Sequence, residues 1–488
     1  MRMSLGKILL TKKLVVPEQL EVALSRQKAT GGRLEDHLLA LGFLSPDQLA
    51  AVTQEPPVIP QTIAETGLDT QLLLRIMVKA MLVEGVQTAP ELSCQIALSR
   101  RIVEELLQIA KKGALVEIRG ASEQDLAILR YALTELGRER ALEALQQSPY
   151  VGPVPVTLTD YRNQVQKQTV TNERVTSEEL KRTLSHLILP QQVIRQLGPA
   201  MNSGKPMLLY GPSGNGKTSI AEAIGEAFQQ TVYLPYCLEV GGHIIKVFDP
   251  VVHQEIAPSP PTQNTKGSGL GPPKAQTDPR WVHCRRPVII AGGELTLEML
   301  DLKFDPISHD YEAPLQVKAT GGVFVVDDFG RQLVRPADLL NRWIVPLEKR
   351  VDYLTLHTGK KFDVPFDELV VFSTNLSPKE IMDAAFLRRL HYKLWIGPPS
   401  LADYKRLFAR VCEIRGVPLP EEILSYILNV FYSQTDIRAA AFHPKFIVEH
   451  VLSACFYRGI SPQLDEELVK DALQNLLIID VDEVAKSA

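Results

Sequence analysis

Eight residues near the middle of the chain have the types and the spacing of a phosphate-binding loop. The pattern G-x-x-x-x-G-K-T runs, in order, through Gly211, Pro212, Ser213, Gly214, Asn215, Gly216, Lys217 and Thr218, and Ser219 follows it. Glycines let backbone N–H groups point at phosphate oxygens, the lysine reaches the β- and γ-phosphates, and the threonine hydroxyl binds Mg²⁺. The motif therefore predicts that these residues, Ser219 included, bind ATP together with Mg²⁺.

Two adjacent carboxylates, Asp327 and Asp328, follow the apolar run 322–326. This pattern predicts a buried strand that delivers both side chains to its C-terminal end, where open α/β sheets bind ligands. We expect Asp327 to bind Mg²⁺ with Thr218, and Asp328 to polarise the attacking water as a base. A helix cap or a simple turn is the alternative for such a pair, and the nearby phosphate-binding loop disfavours it.

The elements that must hold these residues alternate between strand and helix. A short apolar run, 207–210, predicts a strand before the loop, and 219–229 predicts a helix after it. The alternation predicts an α/β domain over 178–396 and a helical lid with a C-terminal tail over 397–488. One segment, 257–280, is rich in proline and polar residues and is expected to be a mobile insert.

With these motifs in place, residues 180–460 resemble the AAA+ ATPases. The run 369–375 is similar to the family's core strand that ends in the sensor 1 residue, which implies that Asn375 orients the lytic water. The run 385–389 resembles the segment that supplies an arginine finger to a neighbouring subunit, and Arg388 and Arg389 are both candidates. Lys445 stands at the place of the family's sensor 2 arginine, at the start of a helix.

Two of these residues depart from the family's usual pattern. Asp328 replaces a glutamate, so its carboxylate is one methylene further back. Lys445 replaces an arginine and loses the bidentate contact that a guanidinium makes with phosphate. Both changes are compatible with ATP binding, and we expect slow hydrolysis.

Residues 350–365 alternate in character on both sides of Thr358, Gly359 and Lys360, which predicts a β-hairpin. A hairpin just before sensor 1 resembles the clade of the MoxR and magnesium-chelatase ATPases. The runs 292–302 and 341–348 resemble a narrower bacterial group, described as ATPases with chaperone activity associated with Flp pilus assembly. The resemblance implies a homo-oligomeric ring, expected to be a hexamer, and a protein client in pilus or secretion machinery.

Residues 1–55 contain an internal repeat, in which Leu5 and Pro17 recur as Leu34 and Pro46 at one offset. Each copy predicts two short helices, and together they predict a small α-helical domain. The repeat resembles the leading domain of secretion and pilus ATPases of the GspE and MshE kind.

Some domains of that kind bind cyclic di-GMP through paired Arg-Leu-Gly motifs. In this chain Ser4-Leu5-Gly6 lacks the arginine and Arg33-Leu34-Glu35 lacks the glycine. The carboxylate of Glu35 would repel a phosphate, and the glycine's open backbone access is lost. We therefore favour a docking domain over a cyclic di-GMP receptor.

Residues 69–148 predict three amphipathic helices, two strands and a closing helix, which is the winged-helix arrangement. The third helix begins with Arg100 and Arg101, where a recognition helix would contact DNA, but it also carries Glu104 and Glu105. With a formal net charge of −4 for the chain, contacts with protein are favoured over binding of nucleic acid. Residues 151–177 are expected to be a linker.

The composition, 45% hydrophobic and 23% charged residues, fits a soluble globular protein. The five cysteines lie far apart without a CxxC pair, which excludes a disulfide framework and the usual zinc patterns. The chain begins without the features of a signal peptide, and no run approaches the roughly 20 apolar residues of a transmembrane segment. These features predict a cytoplasmic protein.

The predicted fold class is therefore multidomain: a small α-helical N-terminal domain, a winged helix (α+β), and an α/β P-loop AAA+ domain with a helical lid. The leading functional hypothesis is a Mg²⁺-dependent ATPase that remodels partner proteins. Two alternatives stay open: an ATP-gated signalling or scaffold protein with little turnover, and a DNA-associated regulator that acts through the winged helix.

Overall fold

The computed structural model describes residues 12–30, 34–45, 55–121, 127–257, 277–307, 310–435 and 437–486, together with residues 6, 9, 10, 48 and 52. Ser4, Leu5 and Arg33 of the N-terminal motifs lie outside the described residues. So does most of the predicted insert, 258–276.

The N-terminal part contains α1 (Pro17–Thr30) and α2 (Leu34–Ala40). Ser45 N donates to Gln48 Oε1 at 2.9 Å, and Gln48 N donates to Ser45 Oγ at 3.1 Å. This reciprocal pair is a capping box, which satisfies backbone N–H groups where a helix begins. The buried apolar residues of this part are Leu9, Val15, Ala23, Leu38, Leu44 and Val52.

The next unit has the element order helix, helix, helix, strand, strand, helix. Its elements are α3 (Thr70–Val83), α4 (Ala89–Gln95), α5 (Arg100–Lys112), β1 (Val116–Ala121), β2 (Leu129–Leu133) and α6 (Glu135–Gln147). The amphipathic α5 buries its apolar side chains, whereas its exposed Arg100 pairs with Glu104 at 2.7 Å. The core of this unit is continuous with Cys237 and Ile244 of the following part.

The segment 151–177, which the sequence predicted to be a linker, forms packed structure. β3 (Val156–Thr157) pairs in parallel with residues 238–239, and α7 (Leu158–Lys167) buries Tyr161 and Val165. Pro153 and Pro155, which suggested a linker, precede the strand and interrupt neither element. This segment therefore belongs to the α/β part of the chain.

The α/β part continues with alternating helices and strands. In chain order they are α8 (Ser177–Thr183), α9 (Gln191–Ser203), β4 (Met207–Tyr210), α10 (Lys217–Glu226), β5 (Thr231–Pro235), β6 (Cys237–Val240), β7 (His243–Lys246), β8 (Trp281–Arg285), β9 (Val288–Ala291), β10 (Lys303–Phe304), β11 (Tyr311–Glu312), α11 (Leu315–Lys318), β12 (Val323–Val326), α12 (Pro336–Lys349), β13 (Val351–Thr355), β14 (Lys361–Pro365), β15 (Leu369–Thr374), α13 (Pro378–Ile381), α14 (Ala384–Arg389) and β16 (Tyr392–Trp395).

Among the described residues, five parallel strands form the main sheet in the order β16-β4-β15-β12-β9. Side chains alternate across it, because successive residues of a strand face opposite sides. Leu209 and Val325 pack on the side of α9 and α10, whereas Phe324 packs against Trp343 of α12 on the other side. Helices therefore cover both faces of a parallel sheet, which confirms the predicted α/β class.

Four strands between α10 and β12 form a second sheet together with β3, which comes earlier in the chain. The strand order of this sheet is β10-β11-β7-β6-β3. In the same part of the chain, β5 pairs with β8 in an antiparallel ribbon. The hairpin predicted over 350–365 is confirmed: β13 and β14 pair from Val351↔Pro365 to Thr355↔Lys361. Gly359 in its turn has φ +83°, a conformation that glycine adopts readily.

A C-terminal helical unit follows β16. It comprises α15 (Leu401–Arg415), α16 (Glu421–Tyr426), a π-helical turn (Ile427–Phe431), α17 (Tyr432–Gln434), α18 (His443–Arg458) and α19 (Glu466–Lys486). These helices bury a core of their own, around Phe408 and Val451. In the described part of the chain, no helix is both long enough and apolar enough to cross a membrane.

Candidate nucleotide site

The glycine-rich loop connects β4 to α10, as the sequence predicted. Gly211, Gly214 and Gly216 have φ values of +145°, +73° and +83°, which side-chain-bearing residues rarely adopt. A Cβ at Gly211 would also lie 2.2 Å from the carbonyl oxygen of Ile396, just beyond β16. The curvature of the loop and its closeness to the neighbouring strand therefore require glycine.

Lys217 is the first residue of α10, and its side chain folds back over the loop. Its Nζ donates to Gly211 O and to Pro212 O, each at 2.9 Å, and the residue is 6% exposed. These bonds hold the ammonium beside the loop whose N–H groups would face phosphate. The phosphate contact of Lys217 stays a prediction.

Thr218 and Asp327 lie next to each other. The Thr218 hydroxyl donates to Asp327 Oδ2 at 2.7 Å. Asp327 follows β12, which is separated from β4 only by β15, and parallel strands end at the same edge of a sheet. A hydroxyl and a carboxylate are oxygen ligands of the kind that hold Mg²⁺ alongside substrate phosphates, so these residues fit the ion.

Asp328 and Asn375 also come together at this edge. Asn375 Nδ2 donates to Asp328 Oδ1 at 3.0 Å, and Asp328 N donates to Asp327 Oδ1 at 3.0 Å. Asn375 directly follows β15. One chain of hydrogen bonds therefore runs from Thr218 through both aspartates to Asn375, across the ends of three strands.

The beginning of α18 packs on the tip of the loop through Ala441 and Phe442, which the sequence patterns do not single out. Ala441 N donates to Asn215 Oδ1 at 3.2 Å, and Phe442 N donates to Gly214 O at 3.0 Å. A Cβ at Gly214 would lie 2.2 Å from Cδ1 of Phe442, so the ring covers this glycine closely. The partners are more than 200 residues apart in sequence, and no local pattern marks such a pair.

His443 supports the same corner. It is 1% exposed, and burial lowers its pKa to about 4, so the ring is neutral near pH 7. Its Nδ1 lies 2.6 Å from the Tyr432 hydroxyl, which fastens the beginning of α18 to α17.

Lys445, in the first turn of α18, is exposed. Within the described residues it has no hydrogen bond or ion pair. The sensor 2 role of Lys445 stays a prediction.

The two candidate finger residues have different environments. Arg389 forms an ion pair with Glu348 of α12. Arg388 is exposed and, among the described residues, has no ion pair. Both lie on α14, and neither has a described hydrogen bond to Thr218, Asp327 or Asp328. Arg388 is therefore the side chain that is available to another molecule.

One protein family matches residues 400–475, and its description is "Domain of unknown function (DUF8689)". This match covers much of the C-terminal helical unit, α15 to α19. No curated protein matches the chain in sequence.

Solved structures match the chain at low identity and with low TM-scores. NtrX from Brucella abortus has 13% identity and a TM-score of 0.35, and the match covers 60% of this chain and 58% of NtrX. NtrX in complex with ADP has 14% identity and a TM-score of 0.35, with 68% and 65% covered. The Holliday junction branch migration motor RuvB from Thermotoga maritima has 13% identity and a TM-score of 0.34, with 61% and 73% covered. The chain thus spans less than two thirds of the length of NtrX, and similarities this distant carry no argument about function.

Proposed function

We propose that this chain is an AAA+ ATPase that binds Mg²⁺-ATP at the loop 211–218 and hydrolyses it slowly. One observation carries the proposal: Thr218, Asp327, Asp328 and Asn375 form a continuous hydrogen-bonded chain beside Lys217. Three separate segments of sequence contribute to it. A turn that only ended a strand would not require these four side chains to come together beside a glycine-rich loop.

The roles follow from the chemistry of each group. The loop N–H groups and Lys217 bind the phosphates, and Thr218 and Asp327 hold Mg²⁺, which would neutralise charge on the transferring phosphoryl group. Asp328 accepts a proton from the attacking water, and Asn375 orients Asp328. The start of α18 covers the tip of the loop as a lid, through Ala441 and Phe442.

A second copy of the chain completes this site in the proposal. An arginine beside the γ-phosphate stabilises charge that develops in the transition state. Arg388 is the free candidate, since Arg389 is already paired with Glu348. The assembly is a ring, and six is the subunit number that the family resemblance implies.

The work done by this ATPase is proposed to be the remodelling of a partner protein, as in the group that the chain resembles. The unit 70–147 fits contact with protein better than with DNA, because Arg100 at the start of α5 is paired with Glu104. A client in pilus or secretion machinery is the partner that the resemblance implies. The N-terminal repeat would dock on that partner.

A second candidate function is an ATP-gated scaffold with little turnover. Lys445 favours it, because this exposed side chain has no described contact with the loop. The short side chain of Asp328 favours it as well. In this alternative, ATP occupancy sets the conformation of α15–α19 and hydrolysis is incidental.

Calorimetry with Mg²⁺-ATP tests the proposal. The unmodified chain and Asp328→Asn are expected to bind, whereas Lys217→Ala loses most of its affinity because the phosphate charge goes unpaired. If the unmodified chain binds ATP as well as Asp328→Asn does and releases phosphate no faster, the result supports the scaffold function. A chain that binds no ATP contradicts both functions.

A further inference from the structure

Asp328 lies in a turn whose backbone is in a sparsely populated conformation. Its φ is +46°, in the left-handed region that residues other than glycine seldom adopt. From this position its carboxylate meets Asn375 Nδ2 at 3.0 Å. Because the direction of a side chain follows from its backbone, the group that holds the turn also aims the carboxylate.

The side-chain amide of Gln332 bonds to the backbone at several positions of this turn. Gln332 Nε2 donates to Asp327 O at 2.7 Å and to Asp328 O at 3.2 Å. Gln332 Oε1 accepts from Gly330 N at 2.8 Å. Three hydrogen bonds from a single amide thus bridge the beginning and the end of the turn.

The other side of the turn is fastened to the strand that precedes Asn375. Phe329 N donates to Ser373 O, and Thr374 Oγ1 donates to Phe329 O, each at 2.7 Å. The turn is therefore held between β15 on one side and Gln332 on the other. Loss of Gln332 would remove its bond to Asp327 O and leave Asp328 O with the bond from Arg331 N at 2.9 Å, while the anchor on β15 remained.

We propose that Gln332 is a positioning residue for ATP hydrolysis, which fixes the backbone of Asp327 and Asp328 so that the Asp328 carboxylate stays on Asn375. The inference rests on the hydrolysis proposed above. Gln332 acts through the backbone, since its amide bonds to two carbonyls and one N–H. Because the Asp328 carboxylate is the proposed base, we expect loss of Gln332 to slow the chemical step more than it weakens the binding of ATP.

Two variants separate this role from a general contribution to stability. Gln332→Leu keeps the approximate size and removes all three hydrogen bonds. Gln332→Glu keeps the acceptor for Gly330 N but removes both donors and sets a carboxylate against two carbonyl oxygens. Asn202→Leu is the matched control, since the Asn202 amide also braces a backbone segment through Val175 N and Val175 O, at 2.8 and 3.0 Å.

The test is a comparison of kcat and KM for ATP, with unfolding midpoints measured in parallel. Both Gln332 variants are expected to lower kcat by about tenfold or more, because a small misplacement of a reacting group has a large effect on rate. KM is expected to stay within about twofold, as for a group that acts only in the transition state. Asn202→Leu is expected to lower the unfolding midpoint at an unchanged kcat.

Unchanged kcat in both Gln332 variants, in a chain that turns over ATP, overturns this inference and leaves the proposed function intact. A loss of ATP affinity that accounts for the whole loss of activity overturns it as well. No turnover in the unmodified chain removes the proposed hydrolysis together with the inference. If Gln332→Leu does not fold, the comparison is made with Gln332→Glu, which preserves the bond to Gly330.

Discussion

Asp327 and Asp328 are adjacent carboxylates, yet each is bonded to a different part of the sheet edge. Asp327 accepts from the Thr218 hydroxyl, so it faces the loop and α10. Asp328 accepts from Asn375, so it faces the end of β15. A carboxylate beside a threonine hydroxyl suits a metal ligand, and one held by an amide suits a base.

The contact between Asn375 and Asp328 leads to a prediction at the same scale. Asn375→Leu removes the N–H donor, so the Asp328 carboxylate loses its orientation while the loop is unaltered. We expect turnover to fall by about tenfold or more with little change in ATP affinity. Phosphate release and calorimetry on the same preparation check this. Equal turnover in the variant would separate Asn375 from the reaction.

Glu368 gives a prediction about stability. The residue is fully buried just before β15, and neither carboxylate oxygen has a hydrogen-bond partner within the described residues. Burial raises the pKa of Glu368 well above its ordinary value of 4.5, and the nearby Asp367 and Asp352 add to this effect against the opposing charge of Arg350. The folded chain therefore keeps a proton that the unfolded chain loses once the pH exceeds about 4.5.

The sign of the pH dependence follows directly. Above the unfolded pKa and below the folded one, the folded state binds the additional proton, so this group lowers the free energy of unfolding as pH rises. Glu368→Gln removes that contribution, and its stability is expected to exceed that of the unmodified chain increasingly across this interval. Urea unfolding over a pH series measures the difference, with the exposed Glu380→Gln as control. A difference in the free energy of unfolding between Glu368→Gln and the unmodified chain that stays constant across the pH series would contradict the prediction.

At the scale of elements, the start of α18 packs against the tip of the loop 211–218. Phe442→Ala removes the ring that covers Gly214, so the loop gains freedom that it must lose when it binds phosphate. We expect the affinity for ATP to fall by about three- to tenfold, or about 0.7–1.4 kcal/mol.

Phe456→Ala is the matched control for this prediction. Phe456 lies on the same helix and is 90% exposed, so its removal leaves the loop contact in place. Titration of both variants with ATP measures the two affinities. Equal affinities would mean that α18 does not influence the loop.

At this scale, the sequence predicts correctly those features whose pattern lies within a few neighbouring residues. The loop 211–218 and the strand before Asp327 carry their pattern within a few residues, and the structure has both where they were expected. The hairpin 350–365 was predictable because alternation and a glycine turn lie side by side. These features require no knowledge of distant parts of the chain.

Contacts between distant segments could not be predicted in this way. The bond of Ala441 to Asn215 depends on how the C-terminal helices return to the sheet. The prolines of segment 151–177 predict a linker, but β3 gains a partner when residues 238–239 lie beside it. The hydrogen bonds of Gln332 to the turn could not be predicted, because a glutamine after a turn has no distinctive sequence pattern.

At the scale of the whole molecule, the exposed Arg388 and the paired Arg389 lead to different expectations. In the proposed ring, Arg388→Ala is expected to leave each subunit folded and to remove the finger from the neighbouring site, so turnover is expected to be lost. Arg389→Ala breaks a partly exposed ion pair with Glu348, and we expect a loss of about 0–1 kcal/mol in stability.

A mixing experiment tests whether the site lies between subunits. Arg388→Ala subunits keep Asp328, and Asp328→Asn subunits keep Arg388, so a mixed ring contains some complete sites. The mixture is expected to turn over ATP faster than the sum of the two variants alone. Activity equal to that sum would indicate that Arg388 does not serve a neighbouring subunit.

The central claim is that the edge formed by Thr218, Asp327, Asp328 and Asn375 hydrolyses ATP. The most direct measurement is steady-state phosphate release with Mg²⁺-ATP, for the unmodified chain and for Asp328→Asn, at several protein concentrations. We expect slow but measurable turnover that rises with protein concentration as subunits associate. We also expect a fall of about 100-fold or more in Asp328→Asn, since general-base catalysis contributes roughly 10²–10⁴ in rate. Equal rates for the two chains at every concentration would contradict it.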